Sequence, residues 1–148
     1  MTAAGGLELL RRIAEDRHEP ADLAALAARL REYLSLAPAG FSLEDAFGLS
    51  VGPGGEPWYA RERRAGRDRE LCALVERFHR PDASVRERAL WLQILVKRYG
   101  TDCWPRDSAS GVMPEHYRGT EKEYLFRAFE FCPAPESDRQ LSKILIGI

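Results

Sequence analysis

The chain of 148 residues lacks the sequence patterns of membrane-spanning segments, signal peptides and β-strands. It has no run of about eighteen apolar residues, which a membrane-spanning helix needs, so we expect no membrane span. Its first residues lack the basic start and apolar block of a signal peptide, and we expect a cytoplasmic protein. No segment sustains the two-residue alternation of a half-buried strand, so essentially no sheet is expected.

Cysteine is scarce, and so are the motifs that bind cofactors. Cys72, Cys103 and Cys132 are odd in number and widely spaced, which argues against a disulfide framework and fits reduced cytoplasmic thiols. Neither G-x-x-x-x-G-K-S/T nor G-x-G-x-x-G is present, so the glycine-rich segment 50–57 is interpreted as a linker rather than a phosphate-binding loop. We predict no cofactor and no metal ion.

Net charge is also small, at −1, but it is unevenly distributed. Residues 1–57 carry a net charge of −4, residues 58–100 carry +5 and residues 101–148 carry −2. A basic middle segment is a weak indication of nucleic-acid binding, and it is equally compatible with pairing to the acidic flanks. Arginine far outnumbers lysine, which indicates either phosphate binding or, as we favour, the codon bias of a GC-rich bacterial genome.

Helical periodicity dominates what is present, and it predicts an all-α fold. We expect a small bundle of five to six helices that ends in a helix-turn-helix-like pair and contains one long irregular loop at 101–118. The expected domains are an N-terminal hairpin at 1–49, the linker at 50–57 and a main bundle at 58–148, or one compact domain throughout. The predicted helices cover residues 7–16, 20–36, 58–79, 84–99, 121–132 and 137–148, with a single further turn at 43–47.

The last two helices carry the most specific pattern. Ser84–Glu87, Thr120–Glu123 and Ser137–Gln140 each have the spacing of a capping box, so two of these boxes open the C-terminal helices. Pro133 and Pro135 mark the short turn between those helices, because proline ends a helix. Five polar residues of the last helix lie off its apolar stripe, namely Asp138, Arg139, Gln140, Ser142 and Lys143.

This segment resembles the helix-turn-helix pattern at the ends of some small bacterial and phage DNA-binding proteins. The resemblance implies that Arg139, Gln140, Ser142 and Lys143 contact DNA, since recognition helices read bases near their start. Arginine and glutamine are residue types that read base edges. The alternative is a terminal hairpin of an ordinary bundle, which the same pattern would produce.

An arginine-rich helix is the second candidate for contacts to DNA. Arg61 and Arg64 follow Trp58 and Tyr59, a combination that can clamp phosphates or stack on bases. The alternative is a solvated helix face, because Glu62 and other acidic residues are interleaved with the arginines.

Partner contacts are predicted at Ile146, Ile148 and Trp104. The chain end is unusually apolar, which suggests docking on a second copy or another protein, or else burial of the last helix on two sides. An enzyme built on Cys103 and His116 is disfavoured, because their spacing matches no nucleophile or metal motif.

The sequence therefore predicts a small non-catalytic bacterial or phage regulatory protein that binds double-stranded DNA. The alternative function is a protein–protein adaptor or oligomerisation module, whose partner is a second copy or another protein.

Overall fold

The computed structural model describes residues 3–147, and within that range the chain is helical with no β-strand. Residues 3–147 contain eight α-helices where five to six were predicted. The additional helices are short. The bounds are α1 Ala3–Ala14, α2 Pro20–Leu36, α3 Leu43–Ala46, α4 Trp58–Phe78, α5 Val85–Asp102, α6 Trp104–Ser110, α7 Glu121–Phe131 and α8 Asp138–Ile146.

The chain divides into two compact units, of which the first ends at Ala60 and the second begins at Arg61. In the first unit α1 and α3 both pack against α2. Its small core consists of Leu9, Ala46, Phe47 and Leu49.

One ion pair ties α1 to the first turn of α2. Arg12 donates two hydrogen bonds to Asp22, from Nη2 to Oδ1 at 2.6 Å and from Nε to Oδ2 at 3.1 Å. The hydrogen bond from Arg12 lowers the pKa of Asp22 to about 2, so this carboxylate stays charged well into acid. The pair therefore holds the start of α2 at a fixed position on α1.

The second unit is built around α5. Most of its buried residues come from α4, α5, α7 and α8, and α8 packs most closely on α5. Cys103, Tyr117 and Ala134 add to this core from the connecting segments. Leu71, Leu74, Leu92 and Leu141 are completely buried at the centre of this core. The predicted apolar stripes of these helices therefore face one another, as the helical periodicity requires.

The prediction of an irregular loop at 101–118 is wrong. α5 continues to Asp102, α6 follows at once, and a 3-10 turn covers Glu115–Tyr117. Pro105 indicated a loop, yet it lies in the first turn of α6, where proline is well tolerated because that N–H has no helical partner. Val112, in the same segment, is 71% exposed.

A buried carboxylate fastens this segment to α5. Asp107 is 1% exposed, and its Oδ2 accepts hydrogen bonds from the hydroxyls of Tyr99 at 3.0 Å and Tyr117 at 2.9 Å. Arg106 donates from Nη2 to the Tyr117 hydroxyl at 3.0 Å and from Nε to Asp107 Oδ1 at 3.3 Å. Every polar group of the cluster thus has a partner, as a buried network must.

We expect this cluster to make stability fall in alkali. Burial, followed by the hydrogen bond to Asp107, raises the pKa of Tyr117 from 10.0 to about 12. The folded protein then holds this proton more tightly than the unfolded chain, so the contribution is complete below pH 10.0 and is lost as pH approaches about 12. Urea unfolding across this range, with tyrosinate absorbance recorded in parallel, should show the loss, and Tyr117→Phe should make its slope shallower. A slope unchanged in that variant would contradict the assignment.

Of the three predicted capping boxes, the structure forms one and lacks two. The box at Ser84 is confirmed, with Ser84 Oγ accepting from Glu87 N at 3.2 Å and Glu87 Oε2 accepting from Ser84 N at 2.8 Å. The box at Thr120 is not formed, because its hydroxyl donates to Tyr117 O at 2.7 Å. Ser137 likewise makes no side-chain capping bond at the start of α8.

In the described part of the chain, every helix is too short or too polar to cross a lipid bilayer.

Candidate nucleic-acid interface

The turn before α8 is held by side chains from two other helices. Arg67 of α4 donates from Nη1 to Pro133 O at 3.0 Å, and Gln93 of α5 donates from Nε2 to Glu136 O at 2.7 Å. Ala134, between the two prolines, is buried. These contacts give the orphan carbonyls of the turn their partners, so α8 begins from a fixed point.

Arg67 is a structural residue of this site rather than an exposed cation. Its side chain is 11% exposed, and its Nη2 lies 2.7 Å from Asp68 Oδ1. The neighbouring carboxylate compensates the charge, while the remaining donor binds the turn. In the sequence this arginine belongs to the same predicted helix as Arg61 and Arg64, and spacing alone does not show which of these arginines turns inward.

The outer face of α8 presents two cations and an apolar side chain. Arg139 and Lys143 are exposed, and their four-residue spacing puts them side by side on one helix face. Ile146, on the next turn of the same face, is 67% exposed. The opposite face is the packed one, since Leu141 is completely buried. Ser142 lies at the edge between the two faces and is half-buried.

A groove between α4 and α8 brings predicted DNA-contacting residues of both helices together. Its volume is 470 Å³. Arg64, Gln140 and Lys143 line it and are exposed. Pro135, Asp68, Arg67 and Ile144 complete its walls. Two candidate segments that lie about 80 residues apart in the sequence therefore form one surface.

A second concavity of 610 Å³ continues along the same two helices. It shares Asp68, Lys143 and Ile144 with the first groove, and Arg69 and Glu76 add charges of both signs. Its walls also include buried Cys72, whose thiol contacts Ile144 O at 3.9 Å. Burial raises the pKa of Cys72 to about 11, so the thiol is protonated at neutral pH and is a poor nucleophile.

The other predicted site residues are distributed away from this groove. Arg61 is exposed near the start of the second unit and does not line either concavity. Trp104 is half-buried, with its ring 5.4 Å from that of Phe129 and 6.1 Å from that of Phe126. Ile148 lies outside the described residues.

The residues considered for the enzyme alternative differ in burial. Cys103 is buried beside the Tyr99–Asp107–Tyr117 cluster, whereas His116 is exposed with its ring 4.8 Å from that of Tyr117. Across residues 3–147, no three His, Cys, Asp or Glu side chains are grouped so as to hold a metal ion.

Comparisons with protein-family models, with curated proteins and with solved structures found no match for this chain.

Proposed function

We propose that this chain is a non-catalytic DNA-binding protein that uses the outer face of α8, with Arg64 of α4 as a neighbouring phosphate contact. The observation that carries the proposal is the groove shared by Arg64, Gln140 and Lys143. Cations at its edge suit phosphates, and the glutamine amide suits the edge of an adenine.

The dimensions of α8 suit the major groove. The major groove is about 12 Å wide and admits an α-helix, which is about 10–12 Å across with its side chains. Arg139 and Gln140 lie in its first turn, where the recognition helix of a helix-turn-helix makes base contacts. In space the main support of α8 is α5 rather than α7, so α5 would take the role of the backing helix.

Charge supports the same surface. Residues 61–148 contain 17 basic and 14 acidic residues, a net charge of +3 in a chain whose total is −1. Long-range attraction to DNA would therefore come from the second unit. Asp138 opposes it at the start of α8, so we expect moderate affinity with a marked dependence on salt.

The proposed DNA contacts can be tested at Arg139 and Lys143. We expect each replacement by alanine to weaken binding to duplex DNA by roughly tenfold or more, because each removes a charged side chain from the DNA-binding face. Removal of one phosphate-binding cation should also reduce the slope of log affinity against log salt by about 0.9. Fluorescence anisotropy with a mixed-sequence duplex, at low and then rising salt, measures both quantities.

Arg118→Ala is the matched control. This arginine is 68% exposed, precedes α7 and lines neither concavity beside α8, and its removal changes net charge by the same amount. Affinity should change less than about twofold in the control. Absence of binding by the unmodified protein at low salt, or equal losses in all three variants, would overturn the proposal.

A protein–protein adaptor is the second candidate function, and the exposure of Ile146 favours it. Binding of a protein partner would bury this side chain, which otherwise contacts solvent on the α8 face. If α8 binds no DNA, this function becomes the leading one.

A further inference from the structure

The larger of the two concavities beside α8 has the dimensions of a small-molecule site. Its volume of 610 Å³ lies within the range of about 300 to 1,000 Å³ that is usual for ligand pockets. It extends along α4 from Ala65 to Glu76, which is about three helical turns. Lys143, Ile144 and Gly147 of α8 form the opposite wall.

The middle part of this lining is apolar. Ala65, Ala73 and Ile144 contribute only carbon side chains to it. Cys72 is uncharged at neutral pH, because burial raises the pKa of its thiol to about 11, and its thiol contacts Ile144 O at 3.9 Å. None of the described residues in the lining is aromatic, so a flat ring would have no stacking partner. This part of the concavity therefore suits an alkyl chain.

Two exposed cations lie at one end of the concavity. Asp68 and Lys143 also line the 470 Å³ groove, so they mark the end where the two concavities meet. The carboxylate of Asp68 is already paired with Arg67, at 2.7 Å. Arg69, the next residue, and Lys143 form no ion pair with any carboxylate of the described residues. Glu76 lies about 10 Å along α4 from Arg69, so the free negative charge is at the opposite end.

We propose that the 610 Å³ concavity binds an alkyl monocarboxylate of medium chain length, with its carboxylate on Arg69 and Lys143 and its alkyl chain along the apolar middle. A guanidinium binds a carboxylate through two parallel hydrogen bonds, and the ammonium adds a second positive charge. The alkyl chain displaces water from apolar carbons of α4 and α8, which adds hydrophobic binding energy. Glu76 would repel a second carboxylate at the far end, which favours a monocarboxylate.

Binding at this position also regulates the proposed DNA contacts, a consequence that rests on the proposed function. Lys143 lines both concavities, and its single ammonium would have to serve both a ligand carboxylate and a DNA phosphate. The bound carboxylate also adds a negative charge beside the DNA-binding face. The ligand and DNA therefore weaken each other's binding by the same factor, because such coupling is reciprocal.

Heteronuclear NMR of the full-length protein, titrated with sodium octanoate to about 10 mM, tests the ligand site. The backbone amides of Ala65, Ala73 and Gly147 should shift with a dissociation constant of about 0.1 to 1 mM. Octanol has the alkyl chain without the charge, and acetate has the charge without the alkyl chain, so each should bind at least about tenfold more weakly. Absence of shifts at these amides, or equal binding of octanol and octanoate, overturns the proposal.

Two substitutions test the carboxylate contact and the apolar middle separately. Arg69→Gln should weaken octanoate binding at least about fivefold, and Ala73→Phe should abolish it by filling the concavity. Arg63→Gln is the matched control, since Arg63 is an exposed arginine of the same helix that lines neither concavity, and affinity should stay within about twofold. Circular dichroism verifies that each variant keeps its helical content. Unchanged affinity in Arg69→Gln, or an equal loss in Arg63→Gln, contradicts the assignment.

Fluorescence anisotropy with duplex DNA separates the regulation from DNA binding itself. Octanoate at about ten times its dissociation constant should weaken DNA binding about threefold to tenfold relative to acetate at the same concentration, which matches the ionic strength. Arg69→Gln should still bind DNA and lose most of this response. Unchanged DNA affinity in octanoate overturns the regulation. A protein that binds no DNA at all overturns the proposed function and the regulation together, and the NMR titration alone then decides the ligand site.

Discussion

Asp107→Ala is expected to lower the free energy of unfolding by about 2 to 6 kcal/mol, because it removes the buried acceptor of two tyrosine hydroxyls. The carboxylate is 1% exposed and accepts both tyrosine hydroxyls, so its removal leaves two buried donors without an acceptor. Each such donor costs about 1 to 3 kcal/mol, and the two together account for the expected loss. A loss of this size is a large part of the about 5 to 15 kcal/mol by which a domain is stable.

Urea unfolding followed by circular dichroism measures this loss, and hydrogen exchange in α6 shows where it acts. Asp107→Asn is the matched control, because its amide oxygen can still accept from Tyr99 and Tyr117. The control gives up only the ion pair with Arg106, whose side chain is 68% exposed, and such surface pairs are worth about 0 to 1 kcal/mol. Similar losses in the two variants would contradict this explanation. They would show that the negative charge of Asp107 stabilises the fold and that the hydrogen bonds donated by the two tyrosine hydroxyls do not.

The Tyr99–Asp107–Tyr117 cluster also shows which part of the fold the sequence does not predict. Periodicity correctly indicates α2, α4 and α5, because a single apolar stripe repeated over several turns has few alternative explanations. α6 has seven residues, too few for a stripe to repeat, and the sequence therefore did not predict it. The position of Pro105 directly after Trp104 was the available signal, since proline favours a first helical turn. No local pattern links Asp107 to Tyr99 and Tyr117, which meet only after α5, α6 and the 3-10 turn have folded.

The sequence likewise predicts one part of the candidate interface and not the other. Helix periodicity alone assigned Arg139 and Lys143 to the outer face of α8, and both are exposed. The groove with Arg64 could not be predicted, because it depends on how α4 and α8 pack in three dimensions. The inward turn of Arg67 depends on the same packing, since its acceptor is the backbone oxygen of Pro133. Sequence patterns identify which residues are available, and tertiary contacts decide which of them act together.

Gly6→Ala is expected to detach α1 from the rest of the first unit. A methyl group on Gly6 would lie 1.8 Å from the backbone oxygen of Phe47 and 2.8 Å from its carbonyl carbon. Backbone atoms cannot rotate away as a side chain can, so α1 must move and Leu9 must leave the core that it shares with Phe47. Overpacking of this kind costs about 1 to 3 kcal/mol and occasionally more.

Intrinsic helix propensity predicts that Gly6→Ala raises the stability of the protein, whereas packing predicts that it lowers it. The substitution therefore distinguishes the two effects. Alanine is favoured over glycine inside a helix by about 1 kcal/mol, so propensity alone would make Gly6→Ala stabilising.

Gly100→Ala is the comparison in which packing does not oppose propensity, because the nearest neighbour of its methyl group would be the Phe129 ring at 3.5 Å. Gly66→Ala is intermediate, since its methyl group would meet the partly exposed ring of Phe131 at 2.6 Å, and that ring can swing outward. Limited proteolysis and hydrogen exchange in α1, together with urea unfolding of all three variants, should rank Gly6→Ala lowest in stability and Gly100→Ala highest. A Gly6→Ala protein as stable as the unmodified chain would mean that α1 does not pack closely against Phe47.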